Sequence, residues 1–225
     1  MSKSVGNVVS PENVTDGSDT ISAIGVDGLR FWVASSCGSL DAPSISKNVL
    51  KAIEQKLYVI RRTLKYLLGV MDNMEIKEVS QRVLMVKKLR TIDRYILLRL
   101  RHDFFDFLGN PLSSLYVKRL RDRMYCYSLG SQERDAALFT FLIVGHRLVG
   151  SIAPILPHLA VEFFQHHPLY KDEIELATRL TFDDLKLNDE WIGDELHLNR
   201  TMGLVFQLRE NLNIKNDREL EMKCV

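Results

Sequence analysis

The sequence predicts a mainly α-helical protein, and three observations support that fold class. Apolar residues recur at alternating spacings of three and four along one stretch, which is the repeat of a single buried helix face: Leu50, Ile53, Leu57, Ile60, Leu64, Leu67 and Met71. Residues that favour helix starts stand before two apolar stretches, Ser46 before this one and Pro157 before a later one. Hydrophobic residues make up 46% of the 225 residues, which is ample to bury a core.

In chain order, a connector comes before the long helix. Residues 12–26 are rich in Thr, Asp, Ser and Gly with little periodicity, which indicates a short helical turn or connector ending at Gly25. Residues 39–46 have the composition of a linker whose last residue, Ser46, caps the long helix. That helix also carries cations off its apolar stripe, available to solvent or to phosphates: Lys51, Arg61, Arg62 and Lys65.

Further helices are predicted beyond residue 89. A second helix is broken at Gly109-Asn110-Pro111, because Pro cannot continue the hydrogen-bond ladder, and a third restarts at Leu112. The third contains four cations, of which we expect some in buried ion pairs and others free for phosphate: Lys118, Arg119, Arg121 and Arg123. A fourth covers residues 131–152, with an inward side of Leu138, Leu142, Gly145, Leu148 and Ile152. Another helix is predicted to start at Pro157. Residues 180–193 are acidic and irregular, and we expect Trp191 to cover the edge of the bundle. A last helix is predicted at residues 195–212.

The distribution of charge is more informative than the net charge of +1. Residues 47–101 hold fourteen Lys and Arg against five Asp and Glu, whereas residues 171–199 hold three against nine. One half of the chain is therefore suited to face an anion, although a basic helix surface that is merely solvated is the alternative.

Other classes of site have little support in the sequence. Cys37, Cys126 and Cys224 are an odd number without short spacing, which indicates neither a disulfide framework nor a zinc site and favours a reducing compartment. His166 and His167 are neighbours, which points them to different helix faces, and His146 and His158 lie twelve residues apart, so we expect no metal site. We find no uninterrupted apolar run of about eighteen residues and expect no membrane span.

The N-terminal stretch has the composition of a phosphate-handling loop. Lys3 offers a point charge to phosphate oxygens, Ser2 and Ser4 offer O–H donors, and Gly6 permits a close approach of the backbone. An unstructured polar N-terminus is the alternative interpretation of these few residues.

Longer motifs carry a resemblance to a known family. Met1-Ser2-Lys3-Ser4, followed by Gly6-Asn7-Val8-Val9 and Pro11, resembles the KMSKS loop of class I aminoacyl-tRNA synthetases, although the leading Lys is missing. Two later segments are similar to isoleucyl-tRNA synthetases, residues 27–35 and 58–69. Residues 153–162 resemble a signature shared by the isoleucine, valine, leucine and methionine enzymes, which identifies the superfamily and not the amino acid. Arg62 and Tyr95 depart from the family pattern, which has Asn and Trp there.

The resemblance implies an antiparallel helix bundle, the anticodon-binding domain, preceded by an irregular connector. It divides the chain into a KMSKS loop and connector at 1–38, an anticodon-binding bundle at 39–178, and an acidic linker with the start of a C-terminal helical junction at 179–225. It also implies isoleucine–tRNA ligase activity, with ATP and Mg²⁺ as substrate, tRNA(Ile) as partner and isoleucine bound only by the complete enzyme. We expect a monomer in the cytoplasm or the mitochondrial matrix.

The resemblance further implies particular site residues. Lys3 is the catalytic residue, since in the family this Lys stabilises charge that grows on the leaving pyrophosphate, and Ser2, Lys3 and Ser4 bind ATP. Eight cations are assigned to tRNA binding: Lys51, Arg61, Arg62, Lys65, Arg94, Lys118, Arg119 and Arg121.

Three alternatives stay open. The first is the same region of a valyl-tRNA synthetase, which would carry several of the same motifs. The second is a non-catalytic tRNA-binding module, which would use only the basic helices. The third is a helical scaffold for protein partners, which would use neither the family motifs nor the basic helices. The nucleotide-binding signature of class I synthetases does not occur in this sequence, so we expect the chain alone not to form an aminoacyl adenylate. An isoleucine-dependent ATP–pyrophosphate exchange assay tests that expectation.

Overall fold

The computed structural model describes residues 9–18, 22–36, 45–72, 89–100 and 104–169, and positions 200, 201, 203, 204, 207, 208 and 211. Within these ranges the regular structure is helical and contains no strand, so the predicted mainly α class is confirmed. The elements are α1 (Pro11–Thr15), α2 (Gly25–Ser36), α3 (Lys47–Met71), α4 (Thr91–Arg99), α5 (Phe104–Phe107), a π-helical segment (Leu108–Val117), α6 (Arg121–Tyr125), α7 (Gln132–Ile152) and α8 (Pro157–Gln165).

The long helix α3 forms as its apolar repeat predicts. The Ser46 hydroxyl accepts the Val49 N–H at 3.3 Å and so satisfies one of the free amides of the first turn. Of the seven residues of the apolar stripe, six are buried and Leu57 is half-buried. The four cations off the stripe are exposed, so the predicted division of this helix into a buried and a charged side is confirmed.

Helix α7 runs through the middle of the core. Every residue from 136 to 145 is buried, including the predicted inward residues Leu138, Leu142 and Gly145. A Cβ atom on Gly145 would lie 3.2 Å from the Phe163 ring and 3.7 Å from Leu67, so α3, α7 and α8 meet closely there. By length and composition α7 qualifies as a membrane-crossing helix, with a mean hydropathy of 1.4, but 72% of that segment is buried inside the protein.

The predicted break at Gly109-Asn110-Pro111 is wrong. Pro111 instead lies inside a π-helical segment that continues through it. The Ser114 hydroxyl donates to the Gly109 carbonyl at 3.1 Å within the same segment. The segment also buries Leu112 and Tyr116 against the core, and this burial favours continuing the helix over ending it.

The connector is more regular than its composition predicts. Helix α1 is capped by Ser10, whose hydroxyl accepts the Asn13 N–H at 3.3 Å. Helix α2 begins at Gly25, which has a φ of +72°, a left-handed conformation that favours glycine. Phe31 of α2 belongs to the same hydrophobic core as α3 and α7, so this part of the expected irregular connector is a packed helix. The domain boundaries predicted at 38 and 178, and Trp191, lie outside the described residues.

A buried ion pair joins the elements that follow α3. The Arg123 guanidinium donates to both carboxylate oxygens of Asp93, at 2.9 Å and 3.1 Å, and to the Glu133 carbonyl at 2.6 Å. Asp93 also accepts the Tyr116 hydroxyl at 2.8 Å and the Arg90 N–H at 3.0 Å. Asp93 is fully buried and Arg123 is 5% exposed. This network connects α4, the π-helical segment, α6 and the start of α7, and it confirms that the basic third helix places a cation in a buried pair.

We predict that Asp93→Ala destabilises the fold by about 3–5 kcal/mol, because it leaves the Arg123 charge buried without its partner. Urea unfolding followed by circular dichroism measures the change. The matched control is Glu162→Ala, which removes the exposed 3.9 Å contact with Arg61 and should cost less than about 1 kcal/mol. A loss below about 1 kcal/mol in Asp93→Ala would contradict this role for the pair.

A second buried polar group, His167, makes stability depend on pH. Its side chain is inaccessible to solvent, its Nδ1 accepts the Leu169 N–H at 3.2 Å, and its ring lies 5.1 Å from the His146 ring. Burial, together with the charge of His146, lowers the pKa of His167 from 6.5 to about 3. The folded state therefore favours the neutral imidazole.

We predict that this histidine contributes a loss of stability as pH falls from 6.5 towards 3, because only the unfolded chain binds its proton in that range. The slope for one proton is at most about 1.4 kcal/mol per pH unit. The measurement is the difference in unfolding free energy between wild type and His167→Gln as a function of pH. That difference should shrink below pH 6.5, and a constant difference from pH 7 to pH 4.5 would be inconsistent with a buried neutral histidine.

Candidate nucleic-acid interface

The outward face of α3 collects three predicted tRNA-binding cations around an exposed tyrosine. Lys51, Tyr58, Arg62 and Lys65 follow one another at spacings of seven, four and three residues, which places them on one side of a helix. Tyr58 is 62% exposed, and the Arg62 guanidinium lies 5.7 Å from the centre of its ring, within the range of a cation–π contact. This face can therefore offer both positive charge and an aromatic surface to one ligand.

Arg61 does not belong to this face. Adjacent helix residues point about 100° apart, and Arg61 turns towards α8, where its guanidinium lies 3.9 Å from Glu162. It lines a cleft of about 450 Å³ between α2, α3 and α8, together with Asp27, Leu57 and His158 among others. The structure thus separates Arg61 from Arg62 and Lys65, with which it was grouped from the sequence.

The predicted cations of the later helices also divide. Lys118 and Arg121 are exposed, as is Arg119, which already interacts with a neighbouring group. Arg94 is only half-exposed and has interactions of its own. Lys118 and Arg121 are therefore the members of this set best placed for an external anion.

An exposed tyrosine-rich loop beside these cations was missed from the sequence. The last residue of α6, Tyr125, is 73% exposed, and in the loop that follows Tyr127 is 42% and Leu129 75% exposed. The available signal was the pair of tyrosines spaced two apart directly after a basic stretch, since aromatic side chains interleaved with cations are typical of nucleic-acid binding.

Tyr66 of α3 is half-buried against the hydrophobic core. Its ring packs edge-on against Phe141, with centroids 6.1 Å apart. Burial raises the pKa of the Tyr66 hydroxyl, the nearby Tyr125 raises it further, and the Arg121 charge acts in the opposite direction.

Helix α2 is held against the turn between α7 and α8 by two side chains. Asp27 accepts the Leu159 N–H at 2.9 Å, one of the free amides in the first turn of α8, and lies 2.8 Å from His158 Nδ1. Arg30 donates to the carbonyls of Ile155 at 2.9 Å and Pro154 at 2.8 Å. These four contacts fix the segment that follows the N-terminal loop onto the bundle.

The predicted ATP-binding residues Ser2, Lys3 and Ser4 lie outside the described part of the chain. Among the residues that are described, no group of three His, Cys, Asp or Glu side chains is arranged to hold a metal ion.

Comparison with known proteins identifies the class of this domain. The family model described as the anticodon-binding domain of tRNA ligase matches residues 84–224. Because the match covers more than half of the chain, the protein belongs to this family.

The chain is also similar to isoleucine–tRNA ligases. It is 29% identical to the one from Nautilia profundicola, over 99% of this chain and 25% of the relative. It is 30% identical to the one from Natranaerobius thermophilus, over 97% of this chain and 24% of the relative. It is 34% identical to the mitochondrial one from Mus musculus, over 75% of this chain and 18% of the relative. The resemblance to isoleucyl-tRNA synthetases is confirmed, and the chain spans about a quarter or less of these relatives' length.

We predict that Asp27→Ala destabilises the protein by about 1–2 kcal/mol, because it removes the carboxylate that caps α8 from α2. Thermal or urea unfolding measures the loss. Asp16→Ala removes an exposed carboxylate from the same N-terminal region and should change stability by less than about 0.5 kcal/mol. Equal effects of the two substitutions would show that Asp27 does not hold α2 in place.

Proposed function

We propose that this chain is the anticodon-arm-binding part of an isoleucine–tRNA ligase, attached to the loop that handles ATP. The observation that carries the proposal is the row of exposed cations on α3 in a chain of the anticodon-binding family. The isoleucine–tRNA ligases reported above match from 75% to 99% of this chain, which supports isoleucine over valine as the amino acid of the complete enzyme.

The spacing of the cations suits a phosphate backbone. With a rise of 1.5 Å per residue, Lys51 and Lys65 are about 20 Å apart along α3, and Arg62 lies between them. A row of that length can follow several successive phosphates of one RNA strand. Such contacts orient the RNA without reading its sequence, and they release counterions, so binding weakens as salt rises.

The N-terminal loop supplies the second part of the proposal. Lys3, with Ser2 and Ser4, contacts the triphosphate of ATP, whose Mg²⁺ enters with it as substrate. Lys3 stabilises the negative charge that grows on the leaving pyrophosphate more strongly in the transition state than in the ground state. The Asp27 and Arg30 contacts support this role, because they attach the segment after the loop to the helices that hold the RNA.

The complete enzyme is proposed to act as a monomer in the cytoplasm or the mitochondrial matrix. The relatives reported above include a mitochondrial protein and bacterial ones, which supports both compartments equally.

We predict that Arg62→Glu weakens binding of a tRNA(Ile) transcript at least about tenfold at 50 mM salt and lowers the slope of log affinity against log salt by about 1, because a phosphate contact is lost. Fluorescence anisotropy at several salt concentrations measures both quantities. The matched control is Lys56→Glu, which makes the same type of charge change on the other side of α3, where Lys56 lies 5.3 Å over the Phe105 ring.

The two variants separate the proposal from its alternatives. Equal affinities in Arg62→Glu and Lys56→Glu would remove this face of α3 from the RNA-binding surface. Competition between tRNA(Ile) and tRNA(Val) transcripts tests the amino-acid assignment, and a preference for tRNA(Val) would overturn it.

A further inference from the structure

The cleft between α2, α3 and α8 is a concave surface that the proposed RNA-binding face does not include. Its volume is about 450 Å³, within the range of roughly 300–1,000 Å³ typical of small-molecule sites. Helix α3 contributes Leu57 and Arg61, which are one helical turn apart, and α8 contributes His158 and Leu159. Residues 23–28 form the third wall. Side chains from three separate parts of the chain therefore converge on one cavity.

The walls of this cleft are mostly apolar. Ile24 and Leu57 are half-buried and Leu159 is buried, whereas Val26 is 52% exposed. An aliphatic group placed in the cleft would cover these side chains and remove their apolar surface from water, which favours binding. The walls therefore suit a ligand that carries an aliphatic chain.

Asp27 sets the hydrogen-bonding character of His158 in the cleft. Asp27 Oδ1 lies 2.8 Å from His158 Nδ1, and Asp27 Oδ2 accepts the Leu159 N–H at 2.9 Å, so both carboxylate oxygens are occupied within the protein. Because a carboxylate only accepts hydrogen bonds, His158 Nδ1 carries the hydrogen and Nε2 of the neutral ring is an acceptor. The imidazole is 72% exposed, so this acceptor is accessible to a ligand that donates.

Arg61 and Glu162 supply opposite charges at the edge of the cleft. The two side chains approach to 3.9 Å and both are exposed, so this ion pair contributes little to stability and either charge can turn to a ligand at small cost. Glu162 follows His158 by four residues on α8, which places the two on the same side of that helix. The three groups together offer one positive charge, one negative charge and one neutral acceptor beside apolar walls.

We propose that this cleft binds the zwitterion of an α-amino acid with an aliphatic side chain. The ligand carboxylate pairs with Arg61, its ammonium group donates to His158 Nε2 and faces Glu162, and its side chain packs against Leu57 and Leu159. A simple carboxylate would draw Arg61 away from Glu162 and leave that side chain without its partner, whereas a zwitterion supplies a new partner to each. This inference goes beyond the proposed function, since the residues of the α3 RNA-binding face do not line the cleft.

The test titrates the full chain, labelled with ¹⁵N, with three probes that share one aliphatic chain and is followed by NMR. The probes are L-leucine, 4-methylpentanoate, which lacks the ammonium group, and 3-methylbutylamine, which lacks the carboxylate. We expect saturable shifts of the Gly28 and Leu159 amide signals with L-leucine. Each analogue should bind at least about fivefold more weakly, because it loses a charge-assisted hydrogen bond.

Two neighbouring arginines of α3 provide a matched pair of variants. Arg61→Gln should weaken L-leucine binding at least about fivefold, because the ligand carboxylate loses its partner. Arg62→Gln makes the same charge change on the outward face, beside Tyr58, and should keep L-leucine affinity within about twofold of wild type. Both arginines are exposed, so thermal unfolding of the two variants should match wild type and a loss of binding is not a loss of folding.

Glu162→Gln separates recognition of the zwitterion from recognition of the carboxylate. This variant should weaken binding of L-leucine but not of 4-methylpentanoate, so the preference of the cleft for L-leucine should disappear. An unchanged preference in Glu162→Gln would contradict the role given to this carboxylate.

The remaining outcomes decide the inference independently of the proposed function. Absence of L-leucine binding up to about 10 mM overturns the inference outright. Equal affinities for L-leucine and 4-methylpentanoate overturn zwitterion recognition, and equal losses in Arg61→Gln and Arg62→Gln remove the cleft as the site. None of these results alters the tRNA titrations of Arg62→Glu and Lys56→Glu, so failure here and failure of the proposed function are distinguishable.

Discussion

The buried pair of Asp93 and Arg123 is the interaction on which the helical arrangement beyond α3 depends. A carboxylate and a guanidinium without access to water are stable only if both are fully hydrogen-bonded, and here each of them is. Their partners come from α4, the π-helical segment, α6 and the start of α7, so these elements must meet at one point. That convergence fixes the position of α6, whose exposed last residue is Tyr125.

The same requirement divides the basic residues into structural and surface groups. Arg123 turns inward to Asp93, and Lys118 and Arg121 consequently face solvent on the same short stretch of chain. On α3 the apolar stripe has the corresponding effect, because burying it leaves Arg62 and Lys65 outward beside Tyr58. The proposed RNA surface is thus what remains exposed once the core and its ion pair are satisfied.

Much of the fold was predictable, and the errors have a common cause. The capping of α3 by Ser46, its apolar stripe and the inward side of α7 are local properties, which repeat along one helix and need no knowledge of its neighbours. The break at Pro111 was wrong because the segment gains burial from helices distant in sequence. The candidate site was half predictable: the cations were visible as composition, whereas the tyrosines became a candidate surface only when their exposure was known.

By itself, the sequence determined the helical class, the family and the side of each long helix that carries charge, because helical periodicity and motif order are written in consecutive residues. The tertiary structure alone decided that Arg61 turns to Glu162 of α8, that α2 is attached through Asp27 and Arg30, and that Arg123 pairs with Asp93. Each of these depends on contacts between residues far apart in the chain. Burial, hydrogen-bond satisfaction and charge pairing set those contacts together, and none of the three can be evaluated from one segment alone.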